Sequence, residues 1–391
     1  MTGGDLTCGD LTCGDLTRAE LTCTLCDWAC EAGFDRAGVA TLEPLEHGEV
    51  FLRWLERGEH AGMGYLARRA EERLDPAAVL EGARSVLCVA LVYHPLAAGE
   101  GDPESPDAAA PEPEGDLWPR VARYARGRDY HNLMGKRLRK LARRVREAFP
   151  GTETRTYVDT GPVLERELAA RAGLGVPGKN TCLLSREHGS WFLLGELFTI
   201  LDLAPSAPEP AADLCARCTR CLDACPTGAL PEPYRLDATR CISYWTIEHR
   251  GAIPEEIRPM LGDWVFGCDV CQEVCPWNLR WEERADRGGR TPADHPDLRL
   301  PEHRAELDLA GLLGLDRAGY EERFRGSAMQ RARLEGLKRN AAIAMGNRGD
   351  RRYVPALKRA MRSEEDPAVR EAAAWALQQI SEGRKAGAEG R

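Results

Sequence analysis

The sequence has no apolar run long enough to cross a membrane. It opens without a charged-then-apolar leader and without a twin arginine, so the expected compartment is the cytoplasm. No Gly-x-Gly-x-x-Gly follows a strand pattern, which leaves a Rossmann-type nicotinamide site unsupported. Net positive charge is missing too: 53 Lys and Arg stand against 62 Asp and Glu, a formal charge of −9. The molecule as a whole is therefore not a basic nucleic-acid binder.

Cysteine is abundant, with 15 in 391 residues. In a small secreted chain that would mean disulfides; here the spacing points to metal, which fits a reducing compartment. Cys215-x2-Cys218-x2-Cys221-x3-Cys225-Pro226 has the spacing of a bacterial two-cluster ferredoxin, in which three thiolates hold one 4Fe–4S cube and the fourth crosses to the other. The second run, Cys268-x2-Cys271-x3-Cys275-Pro276, lacks its own first cysteine, and Cys241 is the natural substitute. The first cluster is thus assigned to Cys215, Cys218, Cys221 and Cys275, and the second to Cys225, Cys241, Cys268 and Cys271. Structural zinc also uses Cys-x2-Cys pairs, but eight cysteines with two Cys-Pro ends favour cubes.

The length suits two or three domains. Residues 1–17 repeat Asp-Leu-Thr-Cys-Gly and read as a disordered tail, with no metal role for Cys8 and Cys13. A helix is expected over 18–32, with Leu21, Leu25, Trp28 and Ala32 on one stripe; Cys23, Cys26 and Cys30 lie on it. Residues 85–93 form a continuous apolar run, a buried strand with Cys88 in the core. Residues 97–116, rich in Pro, Ala and acids, read as a solvated insertion. A strand over 154–158 delivers Asp159-Thr-Gly-Pro162 to a helix over 163–172; a glycine-rich turn over 173–181 and an apolar stretch over 191–203 follow. Asp159 can be read as the cap of that helix. It can also be read as a carboxyl facing a cofactor, and donating a proton near neutrality would then require burial to raise its pKa.

Charge is uneven along the chain. Residues 120–146 hold eleven Lys or Arg and one acid, and residues 325–362 hold eleven and two. Both stretches carry the footprint expected for nucleic acid, with a solvated helix face as the plainer reading of the first. Asn340-Ala-Ala-Ile-Ala-Met-Gly returns about thirty residues on as Ala372-Ala-Ala-Trp-Ala-Leu-Gln, the sign of a short HEAT-like pair of helical hairpins.

Several motifs join these segments: Met63-Gly-Tyr, Arg123-Tyr-Ala-Arg-Gly-Arg-Asp-Tyr-His131, Asp159-Thr-Gly-Pro-Val-Leu-Glu-Arg166, Gly178-Lys-Asn-Thr181, Gly189-Ser-Trp-Phe192, Cys241-Ile-Ser-Tyr-Trp-Thr-Ile-Glu248 and Arg339-Asn-Ala-Ala-Ile-Ala. With the cysteine runs they resemble the epoxyqueuosine reductases, cobalamin-dependent iron–sulfur enzymes, over residues 20–391. The resemblance implies an α/β cobalamin-binding domain at 18–204, nitroreductase-like as in reductive dehalogenases. It implies a ferredoxin-like segment with two 4Fe–4S clusters at 205–281 and an α-helical HEAT-like tRNA-binding tail at 282–391. The implied activity is reduction of epoxyqueuosine to queuosine at the wobble position of tRNA anticodons, the final step of queuosine biosynthesis. The implied enzyme is a monomer with no membrane partner, fed by an electron donor that the sequence does not identify.

By the same resemblance electrons reach cobalamin through the clusters, and Asp159 protonates the oxygen as the epoxide opens. Tyr130, His131, Asp159, Arg166, Lys179, Asn180, Thr181 and Ser243 would lie about the cofactor; a surface arginine is the plainer reading of Arg166. Asp129-x-His131-x3-Gly135 is one residue longer than the cobalt-binding signature of other cobalamin proteins, so no histidine ligand is implied. Val176-Pro177 departs from the family's residues before Gly-Lys-Asn and bears on the pocket's shape there. A reductive dehalogenase shares both cofactors, but it is normally exported by a twin-arginine signal and needs no basic tail.

Overall fold

The computed structural model describes residues 16–93, 117–206, 213–286 and 295–389. The acidic insertion, Cys8, Cys13 and most of the stretch joining the cysteine-rich segment lie outside them.

Four strands form the central sheet, in the order β1 (Arg36–Ala40), β2 (Ser85–Val92), β6 (Phe192–Thr199), β3 (Thr154–Tyr157). Every pairing is antiparallel. The helix-and-sheet mixture expected as α/β is therefore not built from parallel β-α-β crossovers among the described residues. β2 is buried along its whole length, because helices cover both faces of the sheet. One face takes Met134 and Leu138 of the Tyr130–Ala148 helix, which approach Gly195 of β6. The other takes Leu168 and Ala169 of the Glu165–Arg171 helix, in a core with Val86, Cys88 and Phe198. A small hairpin, β4 (Val176–Pro177) with β5 (Leu183–Leu184), encloses the glycine-rich turn.

The first helix runs Arg18–Glu31 and buries Leu21, Leu25, Trp28 and Ala29. Thr17 caps it in a reciprocal box with Glu20. Cys23 and Cys30 are exposed on it.

The tail is helical, with Arg333–Arg348, Val354–Ser363 and Pro367–Glu389 as its main helices. It is not an appendage. The Arg333–Arg348 helix is buried on nearly all sides, and its motif residues bind the cysteine-rich segment. Arg339 donates to the carbonyls of Trp245 (2.9 Å), His249 (3.2 Å) and Gly251 (2.6 Å). Asn340 donates to those of Thr246 and Val265, both at 2.8 Å. Residues 244–248 form one π-helical turn, which leaves carbonyls for these side chains to take.

The Gly189-Ser-Trp-Phe192 motif also joins segments. Gly189 has φ +60°, and a Cβ there would fall 1.9 Å from Oδ1 of Asn278, so only glycine lets the two chains approach. The next N–H, of Ser190, donates to that oxygen at 2.7 Å.

Candidate active site and cysteine quartets

Strand β3 ends two residues before Asp159, which takes φ +59°. Non-glycine residues rarely adopt this region, though Asp and Asn tolerate it. The kink turns the carboxylate back over the start of the Tyr130–Ala148 helix. There Asp159 Oδ2 accepts from the Tyr130 hydroxyl at 3.1 Å and lies 3.2 Å from Nε2 of His131. Asp159 is not a helix cap: Leu164 holds that position before Glu165–Arg171 and makes no side-chain cap bond. The capping residue nearby is Asp129, which accepts from the His131 N–H at 3.0 Å and holds Nδ1 of the same ring at 2.7 Å. His131 is thus gripped by a carboxylate on each ring nitrogen, with the Tyr130 ring stacked on it at 4.1 Å.

These contacts set the charges. Burial disfavours the imidazolium, but Asp129 and Asp159 outweigh it and raise His131 to about 9. Burial alone would raise Asp159; the hydrogen bonds from His131 and Tyr130, with the His131 and Arg331 charges, hold it below the usual carboxylate value. The expectation that burial raises Asp159 is therefore corrected. At neutral pH the proton sits on His131, and 54 % of the Asp159 side chain stays open to solvent. Glu165 is different: burial, and next the Asp159 charge, push it up to about 7.

All this borders a cleft of about 2460 Å³, well above the roughly 300–1,000 Å³ of ordinary small-ligand pockets. Arg166, Thr181 and Ser243 line it, as does the Val176–Pro177 strand. Arg166 is held by the Thr181 carbonyl. Lys179 and Asn180 do not line the cleft. Thr181 has φ +66°, and the turn before it faces the cysteine loops. Lys179 Nζ donates to the carbonyls of Ala216 and Cys218, and Asn180 Nδ2 to that of Cys271 at 3.4 Å.

Sequence reasoning passed over Glu248 and Arg331. Arg331 comes from the tail, pairs with Glu248 through two hydrogen bonds of 2.8 Å, and lies over the Tyr65 ring. Glu248 and Tyr65 stand inside family motifs; nothing local marked Arg331 among its basic neighbours.

The fold brings the cysteines of both runs, Cys241 and Cys182 within electrostatic reach of one another. Burial, and after it the charges of Cys215 and Cys275, push the Cys221 thiol up to about 11; Cys218 acts on Cys215. Burial raises Cys268, with Cys241 and Cys225 adding to it. Cys271 is raised first by its hydrogen bond with Cys182 and then by burial, with the charges of Cys182, Cys268 and Cys241 adding to it. Among the described residues no three His, Cys, Asp or Glu converge as a single-ion site. Cys241 also lines the cleft.

Residues 214–278 match the family described as a 4Fe-4S double cluster binding domain, and residues 326–388 match HEAT repeats. Residues 73–160, which carry Tyr130, His131 and Asp159, match the family described as epoxyqueuosine reductase QueG, DUF1730. An epoxyqueuosine reductase of Pseudomonas aeruginosa is 41% identical over 356 residues, 91% of this chain and 93% of the relative. The chain belongs to the epoxyqueuosine reductase family. The relative from Escherichia coli is 38% identical over 92% of this chain and 89% of its own. A crystal structure of an epoxyqueuosine reductase with an epoxyqueuosine-modified tRNA stem loop superposes with a TM-score of 0.77. It is 29% identical and covers 93% of this chain and 91% of its own. Among the described residues no helix is long and apolar enough to cross a membrane.

Proposed function

We propose that this chain reduces epoxyqueuosine to queuosine at the wobble position of tRNA, in the cleft bordered by Asp159. One observation carries the reading: the His131–Asp159 pair and Cys241 line the same cleft, so a proton source and an electron source meet there. Turning an epoxide into an alkene takes up two electrons and two protons and releases water. The clusters deliver electrons singly; the His131–Asp159 pair supplies one proton at the opening oxygen, and solvent, which reaches Asp159, supplies the second as water leaves.

The cleft has room for cobalamin as well as a nucleoside, and its lining mixes polar groups with aromatic rings, as a corrin needs. Arg166, Thr181, Ser243 and Tyr130 are the residues that would hold it, and bound there it would supply a strongly reducing, nucleophilic metal. Lys179 and Asn180 are assigned instead to the iron–sulfur side. The first cluster is read on Cys215, Cys218, Cys221 and Cys275, and the second on Cys225, Cys241, Cys268 and Cys271, which places the second beside the cleft. Exposed bases of the tail, such as Lys358, Arg359 and Arg362, are read as phosphate contacts.

The test is anaerobic incubation with epoxyqueuosine-containing tRNA, cobalamin and a chemical reductant, followed by nucleoside analysis. Queuosine should appear. Its absence from protein with full iron and sulfide content would overturn the reading.

A further inference from the structure

Lys179 is 9 % exposed. Its ammonium donates to the carbonyl oxygens of Ala216 (2.6 Å) and Cys218 (3.1 Å), both in the first cysteine loop. Its backbone N–H points at the sulfur of Cys215, 3.5 Å away. Among the described residues no carboxylate forms an ion pair with it. A buried ammonium without an anion is costly, and two carbonyl dipoles solvate the charge without neutralising it. The anion that would complete the site is a cluster on Cys215, Cys218, Cys221 and Cys275. Four thiolates outweigh an iron–sulfide core, and reduction adds one more negative charge.

We propose that Lys179 is the counter-charge of the first cluster and raises its reduction potential relative to the second. An electron from a one-electron donor enters that cluster with no bond made or broken. The added negative charge is stabilised by the ammonium and by the Lys179 N–H on the Cys215 sulfur, since net charge and hydrogen bonds to sulfur set cluster potentials. On Cys225 of the second quartet, the hydrogen bonds to sulfur among the described residues come from neutral groups, the Ala229 N–H at 3.3 Å and the Thr227 hydroxyl at 3.5 Å. The turn that carries Lys179 also puts Thr181 into the cleft, so one short segment touches the electron path at both ends.

This rests on the two-cluster reading, which is checked first: wild-type protein reconstituted anaerobically must hold iron and sulfide for two cubes, and failure there sinks that reading alone. Redox titration followed by electron paramagnetic resonance then compares wild type, Lys179→Gln and Lys179→Arg. In Lys179→Gln the reduced-to-oxidised ratio of the first cluster at a fixed potential should fall roughly tenfold, about 59 mV for one electron. The second cluster should be unmoved, and Lys179→Arg, which keeps the charge, should stay near wild type. A Gln variant that loses the first cluster while the Arg variant keeps it also supports the proposal. Unshifted potentials, equal shifts in both variants, or loss of the cluster from both would overturn it, because the lysine would then serve only to tie down the loop.

Discussion

Nε2 of His131 and Oδ2 of Asp159 lie 3.2 Å apart, and the proton between them belongs to the imidazole. On the proposed reading the acid of this site is a pair, with His131 storing the proton and Asp159, more open to the cleft, placing it. Asp159→Asn should lower turnover by about two to four orders of magnitude. Asn tolerates the positive φ at this position, so both clusters and tRNA binding should survive. Single-turnover nucleoside analysis with parallel iron and tRNA-binding measurements checks this. A fully active variant would place the proton source elsewhere.

The same pair sets a pH window. His131 has a folded pKa raised to about 9, so its contribution to stability is fully present below its ordinary 6.5 and lost as pH rises through 9. Asp159 is depressed, so its contribution is present above 3.8 and lost as pH falls through its lower folded value. Between those limits the ion pair is intact, and the rate of the chemical step should hold level and then fall above about pH 9. In His131→Asn that upper limb should vanish along with much of the rate. An unchanged limb in the variant's pH–rate profile would show that some other group titrates there.

Of the eight assigned ligands Cys241 is the one outside the two runs, and it lines the cleft in space. Cys241→Ala should damage the second cluster and leave the first. Iron and sulfide counts should fall toward half, with the spectrum of one cube remaining. Two intact cubes in this variant would refute the ligand assignment.

Some of this was legible because its physics is local. The double-cluster domain announces itself in cysteines two or three residues apart, and β2 reads as apolar because both of its faces are covered. The partner of Asp159 was not legible: it required a strand end and a helix start, Asp159 and Asp129, to converge on one ring. The charge count of the tail overstates its free basic groups, since counting charges ignores their partners. Lys338 is buried against Glu364, Arg348 meets Asp263, and Arg339 clamps carbonyls. The resemblance assigns Lys179, Asn180 and Thr181 to the cofactor as one loop, but the turn sends the first two side chains away from the cleft that Thr181 lines.

For tRNA binding the partners of the tail's basic residues decide which variant is informative. Removing everything after Trp281 would strip the Arg339 and Asn340 clamps, and Arg331 from the cleft, so the truncated protein would be damaged for other reasons. Exposed bases are the cleaner probe. Reversing Lys358, Arg359 and Arg362 to Glu should weaken tRNA binding and flatten its salt dependence. The log–log slope should drop by about one unit for each phosphate that is no longer neutralised. Melting temperature and cluster content should hold. An unchanged salt slope would show that the tRNA lies on another face.

Glu196 lies mid-strand in β6, opposite Cys88 on one side and Tyr157 on the other. It is 0 % exposed, and neither carboxyl oxygen has a hydrogen-bond partner. Burial pushes its pKa well above the ordinary 4.5, with the charges of Glu165 and Asp159 adding to it. The folded protein therefore keeps a proton there that the unfolded chain gives up. Above pH 4.5 this costs stability as pH rises, by up to about 1.4 kcal/mol per pH unit until the folded group itself titrates. Glu196→Gln cannot titrate, so its melting temperature relative to wild type should climb between pH 5 and pH 8. The readout is that change, because an amide in the same apolar layer lacks partners as the acid does. A constant difference across the range would mean that Glu196 is already ionised in the fold. If the difference grows, Glu196 is neutral when the enzyme works. It then adds no negative charge behind Asp159, and the carboxylate pairing with His131 is left to Asp129 and Asp159.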